Sequence, residues 1–206
     1  MKTISITNQK GGVGKTTTAN NLGHALALKG KSVLMVDLDP QANLTMGHGF
    51  PRPEEELTYT VSDALTAVAK NRELPPTPAM LKQVNDNLFL LPSSYELSNT
   101  ELNLNNEIGR EQLLKRFLSS YKFMFDYVLI DCNPSLSVLT VNGMTAADSL
   151  IIPTQPEYYS AKALESLYDT YSKVKDINPN LKIDGILITM VDGRDRKSTR
   201  LNSSHT

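Results

Sequence analysis

The chain of 206 residues has one cysteine, no tryptophan and no apolar run long enough to cross a membrane. The single cysteine, Cys132, excludes an intramolecular disulfide framework, and the sequence has no Cys-x-x-Cys pair that could hold a structural zinc ion. A signal peptide is not expected either, because the first strand is predicted almost at Met1. These absences favour a cytoplasmic protein with one domain and an ordinary hydrophobic core.

Neither sign of charge dominates the composition, since 21 basic and 22 acidic side chains give a formal net charge of −1. Residues 195–206 are polar, lack apolar periodicity and resemble the translation of a sequencing-adapter oligonucleotide, which predicts a non-native tail. Without the three basic residues and one acidic residue of that tail, the predicted domain 1–194 has a net charge of −3. The composition therefore carries no basic footprint of nucleic-acid binding.

A glycine-rich stretch between a short apolar run and a helical pattern is the most informative part of the sequence. It follows the predicted strand Ile4–Ile6 and consists of Lys10-Gly11-Gly12-Val13-Gly14-Lys15-Thr16-Thr17. Glycines let consecutive backbone N–H groups turn toward a phosphate, and the following helix adds its own unpaired N–H groups. In this pattern Lys15 reaches the β- and γ-phosphates, and Thr16 contacts Mg²⁺. The stretch predicts a phosphate-binding loop for a nucleotide.

Aspartates follow two further apolar runs, and both belong at the same edge of a parallel sheet. Val33–Val36 precedes Asp37 and Asp39, and Tyr127–Ile130 precedes Asp131. Open α/β sheets bind their ligands at the carboxyl ends of the strands, where the glycine-rich loop also lies. We therefore expect Asp39 to face the γ-phosphate region, and Asp131 to act as a Walker B carboxylate that orients Mg²⁺ opposite Thr16.

Apolar strands and amphipathic helices alternate along the rest of the chain. Helices are predicted over 16–29, from a Thr60 capping box onward, around 113–118, and over 138–146 and 161–175; strands are predicted over 33–36, 88–91, 127–131, 149–152 and 183–190. Loops are expected at 47–53 and 74–78, which are rich in glycine and proline. Short links between strands and helices imply right-handed crossovers. The predicted fold class is α/β, with a mostly parallel central sheet and helices on both faces.

Four sequence motifs resemble those of a known protein family. The form K-G-G-V-G-K-T-T, with the extra lysine Lys10 and with Gln9 in place of the usual glycine, resembles the deviant Walker A motif of the ParA/MinD branch of P-loop NTPases. Within this branch, the motif sequence is most similar to that of ParA (Soj-like) partition proteins. The other blocks are V-D-L-D-P-Q-A-N from Val36, L-I-D-C-N-P-S-L from Leu129 and I-I-P-T-Q-P-E-Y from Ile151. Together the blocks span nearly all of residues 1–194.

The resemblance implies a role for each matching residue. Lys10 corresponds to the signature lysine that reaches the nucleotide of the partner subunit in an ATP-bound dimer. Lys15 and Thr16 correspond to the phosphate and Mg²⁺ contacts, Asp39 to the residue needed for hydrolysis, and Asp131 to the Walker B carboxylate. Lys10, Lys15 and Asp39 are therefore the candidate catalytic residues, residues 10–17 the candidate ATP contacts, and Thr16 and Asp131 the candidate magnesium ligands.

The resemblance also implies a biological role and partners. Such proteins hydrolyse ATP slowly, form an ATP-dependent homodimer that binds DNA non-specifically on the nucleoid, and respond to a ParB-type activator. Family chains usually continue past residue 194, so we expect the C-terminal part to be missing here. The family usually has proline at the position of Asn133. The sequence does not identify the replicon or cargo that is moved.

Other functions stay open beside this one. A MinD-like membrane-positioning ATPase shares the loop and Asp39, but it would need a basic amphipathic C-terminal helix, which this sequence does not show. A non-hydrolysing nucleotide-binding module results if Asn133 or the missing segment disables the switch. An iron–sulfur reductase of the same branch would need more than one cysteine. A small-molecule ligase has a different sequence in its phosphate-binding loop. His24 and His48 are expected to be structural.

Overall fold

The computed structural model describes residues 1–156 and 160–191, with side chains described from residue 164 onward in the second stretch. Its strands are β1 (Lys2–Ile6), β2 (Val33–Leu38), β3 (Lys82–Asn85), β4 (Leu88–Leu91), β5 (Tyr127–Cys132), β6 (Ser149–Thr154) and β7 (Lys182–Ile188). They form one seven-stranded sheet in the order β3-β4-β2-β5-β1-β6-β7. Only the β3–β4 pair among these described strands is antiparallel. The predicted mostly parallel α/β fold is confirmed.

Helices cover both faces of this sheet. They are α1 (Lys15–Leu28), α2 (Asn43–Gly47), α3 (Pro53–Glu56), α4 (Val61–Ala69), α5 (Thr77–Met80), α6 (Glu96–Leu104), α7 (Leu113–Ser119), α8 (Val138–Ala146) and α9 (Ser160–Ile177). On one face α1 packs its buried Ala19 and Ala27 against Met35 of β2. On the other face α4, α6, α7 and α8 pack against the alternate side chains of β2 and β5, and α9 continues this layer over β6.

The central strands are hydrophobic on both faces because helices cover both. Every residue of β2 is buried, including Asp37 at its carboxyl end. Successive side chains of a strand point to opposite faces, so the residues of β2 alternate between the two helical layers. The continuous apolar run from Val33 to Val36 thus encodes a strand at the centre of the sheet.

Local signals set the ends of several helices where the sequence places them. Gly14 at the start of α1 has a φ of 86°, and Gly30 just after α1 has a φ of 72°. Both angles lie in the left-handed region that glycine adopts without strain. The predicted capping box at α4 is confirmed, since Asp63 accepts a hydrogen bond of 2.8 Å from the Thr60 N–H and the Thr60 side chain caps the helix.

The prediction is wrong in the connections around β3. The structure places α5 at the end of the expected loop 74–78, and the antiparallel strand β3 follows it. Three of the four residues of β3 are polar and Val84 is its one apolar residue, so β3 lacks the apolar run that marks the other strands. The predicted tail 195–206 and positions 157–158 of the fourth motif block lie outside the described residues. Within the described stretches, no helix is both long and apolar enough to span a membrane.

Candidate functional site

The phosphate-binding loop lies where the chain changes direction across the sheet. It follows β1, which pairs with β5 on one side and with β6 on the other. From β1 the chain crosses to β2, beyond β5, and later it returns from β5 to β6 on the opposite side of β1. The carboxyl edge at such a switch point is the ligand-binding position of open α/β folds. Asp39 after β2 and Asp131 in β5 come to the same edge as residues 10–17.

The glycines of the loop serve its backbone conformation. Gly12 has a φ of 70° and Gly14 a φ of 86°, angles that other residues rarely adopt. A Cβ atom added at Gly12 would meet no protein atom within 4 Å, and one added at Gly11 would lie 4.0 Å from the Pro134 Cβ. The chain's own atoms therefore do not demand glycine at Gly11 or Gly12 for space. The open space beside Gly11 and Gly12 lies on the side of the loop where the sequence predicts the nucleotide.

Lys15 occupies the first turn of α1 with its ammonium group inside the loop. The residue is only 7% exposed, and its Nζ donates a hydrogen bond of 3.1 Å to the Lys10 carbonyl. Burial lowers the pKa of Lys15, while the nearby charges of Asp131 and Asp39 oppose this shift. The structure thus brings together the predicted phosphate lysine and both predicted carboxylates.

Asp131 is a buried carboxylate whose oxygens lack hydrogen-bond partners among the described residues. It is 1% exposed, and neither Oδ1 nor Oδ2 accepts a hydrogen bond with good geometry, although the nearby Thr16 hydroxyl acts to lower its pKa. Burial, followed by the charge of Asp37, raises the pKa of Asp131 to about 8. A buried, unsatisfied carboxylate fits a cation that would satisfy it. The predicted magnesium site thus has a suitable donor pair in Thr16 and Asp131.

The donor set is too small to hold a metal ion without help. Among residues 1–156 and 160–191, no group of three or more acidic, histidine or cysteine side chains converges on a common point. Mg²⁺ in nucleotide sites is held by one or two protein oxygens together with phosphate oxygens and water. The arrangement therefore suits a magnesium ion that arrives with a nucleotide.

Asp37 supports the segment that carries Asp39. Its Oδ2 accepts hydrogen bonds from the Thr45 N–H at 2.8 Å and from the Thr45 hydroxyl at 2.7 Å. Its Oδ1 accepts one from the Asp39 N–H at 3.2 Å, and Asp39 Oδ1 in turn accepts one from the Gln41 N–H at 2.9 Å. Burial raises the pKa of Asp37 to about 6 against the effect of these bonds. No role for Asp37 or Thr45 follows from the sequence alone.

Lys10 is held at the start of the loop by residues from the end of β6 and its continuation. Its Nζ donates a hydrogen bond of 2.8 Å to Gln155 Oε1, and its backbone N–H donates to Asn8 Oδ1 at 3.0 Å. The side chain of Asn8, itself buried, donates to the Pro153 carbonyl at 2.7 Å. Of the remaining predicted contacts, Thr16 is half-buried and Thr17 exposed.

Asn133 joins the loop after β5 to α8 through its side chain. Its Oδ1 accepts a hydrogen bond of 2.7 Å from the Thr140 hydroxyl, and its Nδ2 donates one of 2.9 Å to the Ser135 hydroxyl. The residue is 6% exposed. Hydrogen bonds to both neighbours thus fix the position of the Asn133 side chain.

Cys132, His24 and His48 each contact other residues of the chain. Cys132 is fully buried, its Sγ lies 3.2 Å from the Ser5 Oγ, and burial raises the pKa of its thiol to about 12. A thiol of that pKa is not a nucleophile at neutral pH. His24 and His48 stack with their ring centroids 5.7 Å apart, and His48 Nδ1 lies 2.8 Å from the Leu44 carbonyl oxygen.

The chain matches a family model and several curated proteins. The family model AAA_31, described as an AAA domain, matches residues 1–183. The sporulation initiation inhibitor protein Soj of Bacillus subtilis is 45% identical over 194 residues, which cover 94% of this chain and 74% of Soj. A Mycobacterium tuberculosis relative is 46% identical over 94% of this chain, but the chain spans only 59% of that protein's length.

Solved structures show the same fold with nucleotide bound. A protein from Mycobacterium smegmatis named cobyrinic acid a,c-diamide synthase, solved with an ATP analog and magnesium, superposes with a TM-score of 0.88 and 39% identity. The match covers 98% of this chain and 80% of that protein. The P-loop fold at the centre of the sequence argument is therefore confirmed by relatives that bind the expected ligands.

Proposed function

The chain belongs to the AAA_31 family and is a relative of the Soj and ParA P-loop ATPases, and we propose that it is an ATP-dependent switch of the partition type. In this proposal residues 1–194 form an ATPase domain that binds Mg-ATP at the loop 10–17 and hydrolyses it slowly. The observation that carries the proposal is the buried Asp131 carboxylate, which accepts no hydrogen bond from the described residues and lies near Lys15, at the carboxyl edge that also holds Thr16.

The proposed roles follow from charge and position. Lys15 neutralises phosphate charge, and the N–H groups of the loop cradle the phosphates. Thr16 and Asp131 would hold Mg²⁺, which supplies further neutralisation of the phosphate oxygens when bound. With a cation beside it, the ionised form of Asp131 is favoured, which reverses the shift caused by burial.

Hydrolysis is assigned to Asp39 and Lys10. Asp39 is half-buried and is held through its own N–H and by its bond to Gln41, so its second carboxylate oxygen is available to orient an attacking water. Lys10 would leave Gln155 and place its charge beside the γ-phosphate of a second subunit, as an arginine finger does. The switch therefore couples nucleotide occupancy to an ATP-dependent homodimer.

The proposed biological context is partitioning of DNA. Soj from Treponema pallidum is named a chromosome-partitioning ATPase, and ParA from Caulobacter vibrioides a chromosome partitioning protein. By extension, the partners proposed for this chain are a ParB-type activator and non-specific DNA, and its place is the nucleoid-containing cytoplasm.

The test of this function is turnover by wild type and by Asp39→Ala, with Mg-ATP binding measured in parallel. We expect both proteins to bind Mg-ATP, the wild type to release phosphate slowly, and Asp39→Ala to release about a hundredfold less, the effect of losing one positioned general base. Equal turnover by the two proteins would refute the role of Asp39. Binding by both without turnover by either would indicate a non-hydrolysing nucleotide-binding module, and ATP-dependent sedimentation with anionic vesicles a MinD-like ATPase.

A further inference from the structure

Several carbonyl groups of the phosphate-binding loop accept hydrogen bonds from side chains. Lys10 O accepts from Lys15 Nζ at 3.1 Å, Gly12 O from Gln155 Nε2 at 3.3 Å, Val13 O from Thr189 Oγ1 at 2.8 Å and Gly14 O from Thr18 Oγ1 at 2.7 Å. Two of these donors, Gln155 and Thr189, come from outside the loop and α1, at the ends of β6 and β7. The loop is thus held from the neighbouring strands.

Fixing a carbonyl also fixes the N–H group that follows it. In a planar trans peptide the C=O and the next N–H point in opposite directions. When Thr189 holds the Val13 carbonyl, the Gly14 N–H is turned away from Thr189. Gln155 likewise holds the Gly12 carbonyl, so the Val13 N–H is turned away from Gln155. Successive N–H groups that point to one side form the anion-binding concavity that a phosphate needs.

The hydroxyl of Thr189 has one proton, and the geometry indicates where it goes. Thr189 Oγ1 lies 2.8 Å from Val13 O and 3.2 Å from Thr154 O. Thr154 O already accepts a hydrogen bond of 2.8 Å from the Thr189 N–H. The hydroxyl therefore donates to Val13 O, the nearer of the two oxygens. Thr189, at the end of β7, thus bonds β6 through its N–H and the loop through its hydroxyl.

The methyl group of Thr189 lies beside the position that a side chain on Gly14 would occupy. Its Cγ2 lies 3.6 Å from the position that a Cβ on Gly14 would occupy, an ordinary van der Waals distance. Thr189 is half-buried, and Val13 is fully buried. The Thr189 hydroxyl thus bonds the carbonyl of a fully buried loop residue.

We propose that Thr189 is a positioning residue for nucleotide binding, whose hydroxyl holds the Val13 carbonyl so that the Gly14 N–H faces the phosphate. This inference rests on the proposed function, because the phosphate belongs to the nucleotide of that proposal. Thr189 acts through the loop and touches no reacting atom. It lies 175 positions beyond Gly14 in the chain, outside the motif that binds the phosphate.

The binding test compares three variants of the full chain. Thr189→Val removes the hydroxyl and keeps the shape, and Thr189→Ser keeps the hydroxyl. Thr170→Val is the matched control, because the Thr170 hydroxyl also bonds a carbonyl, that of Ser166 at 3.1 Å, but on α9 away from the loop. We expect the Kd for Mg-ATP to rise roughly fivefold in Thr189→Val, the effect of one net hydrogen bond, and to stay within about twofold of wild type in the other two.

A second readout needs no nucleotide. The ¹³C resonance of the Val13 carbonyl should shift in Thr189→Val and return toward its wild-type position in Thr189→Ser, with no change in Thr170→Val. An unshifted Val13 resonance, or equal weakening of ATP binding by Thr189→Val and Thr189→Ser, would overturn the proposal. Wild type that fails to bind Mg-ATP would overturn this inference and the proposed function together. Normal wild-type binding with an unaffected Thr189→Val overturns the role of Thr189 alone.

Discussion

At the scale of single residues, Asp131 carries a buried carboxyl group that accepts no hydrogen bond from the described part of the chain. Asp131 is buried beside Asp37, its register partner on β2, and its pKa is raised to about 8. The pKa in the folded protein is therefore above that of the unfolded chain. The stability that the protonated form contributes is fully present at low pH and is lost as the pH rises through the folded value.

Asp131→Asn should therefore raise the stability of the protein without ligand and weaken its response to Mg-ATP. In the absence of nucleotide and magnesium, above a pH of about 8, we expect the variant to be more stable than wild type by on the order of 1–3 kcal/mol, because the amide carries no charge to bury. The measurement is chemical unfolding in EDTA across pH. The difference between the proteins should shrink below the pKa of a carboxylate in the unfolded chain.

The same variant should lose the stabilisation that Mg-ATP gives to wild type. Thr140→Val serves as a comparison outside the proposed magnesium site, because its hydroxyl bonds Asn133 and the Ser135 carbonyl. Asp131→Asn that is less stable than wild type at high pH would contradict the account of an unsatisfied, charged carboxylate.

At the scale of elements, α8 lies close against the strand that carries Asp131. A Cβ added at Gly143 of α8 would lie 2.7 Å from Cys132 Sγ on β5, and 3.4 Å from Ile130 Cγ2 on the same strand. The first distance is too short for atoms that do not bond. Gly143 and the buried Cys132 thus set the spacing between α8 and the site.

Gly143→Ala should lower the free energy of unfolding by about 1–3 kcal/mol, because overpacking at a buried contact outweighs the gain of about 1 kcal/mol in helix propensity. Unfolding by urea measures this difference. The matched control is Gly47→Ala at the end of α2, where an added Cβ would meet no atom within 4 Å.

A double variant identifies the contact responsible. Adding Cys132→Ala to Gly143→Ala should restore part of the lost stability, since it removes the sulfur that the new methyl group meets. If Gly143→Ala destabilises the protein no more than Gly47→Ala does, the close contact between α8 and Cys132 would be contradicted.

The elements differ in how far the sequence determines them. The apolar run of β2 and the capping box of Thr60 contain the physical cause of the structure within a few residues, and both were predictable. β3 was not, because Val84 is the one apolar residue of Lys82–Asn85, and the segment becomes a strand by pairing with β4 at the edge of the sheet. Such pairing depends on long-range contacts that a local pattern does not record.

The candidate site divides in the same way. The placement of Lys15, Thr16, Asp39 and Asp131 at one edge of the sheet could be predicted from motif spacing, because each lies at or after the carboxyl end of a strand. Thr189 and Asp37 could not be assigned roles from the sequence. Their contacts with Val13 and Thr45 exist only after folding brings separate segments together.

At the scale of the whole molecule, the proposed switch depends on a change of partner for Lys10. In the structure Lys10 Nζ bonds Gln155 of the same chain, whereas the proposed dimer places it beside the nucleotide of a second chain. Lys10→Ala should therefore lower the turnover of ATP by at least about tenfold at protein concentrations where dimers form, and leave turnover unchanged when the protein is diluted to monomers. Steady-state phosphate release over a range of protein concentrations measures this.

Lys173→Ala on α9 is a matched control, because Lys173 is an exposed lysine away from the loop. A loss of turnover in Lys10→Ala that is equal at all concentrations would place the action of Lys10 within its own subunit. That result would contradict a role across the dimer interface.

The most direct test of the central claim is calorimetric titration of Mg-ATP into wild type and Lys15→Ala. The ammonium group of Lys15 lies inside the loop, and Asp131 offers oxygens for magnesium, so the wild type should bind ATP in a magnesium-dependent manner. Lys15→Ala should lose at least about a hundredfold in affinity, the effect of removing a charge from a buried ionic contact. Equal binding by the two proteins would contradict the account, because ATP would then bind elsewhere than in the loop 10–17.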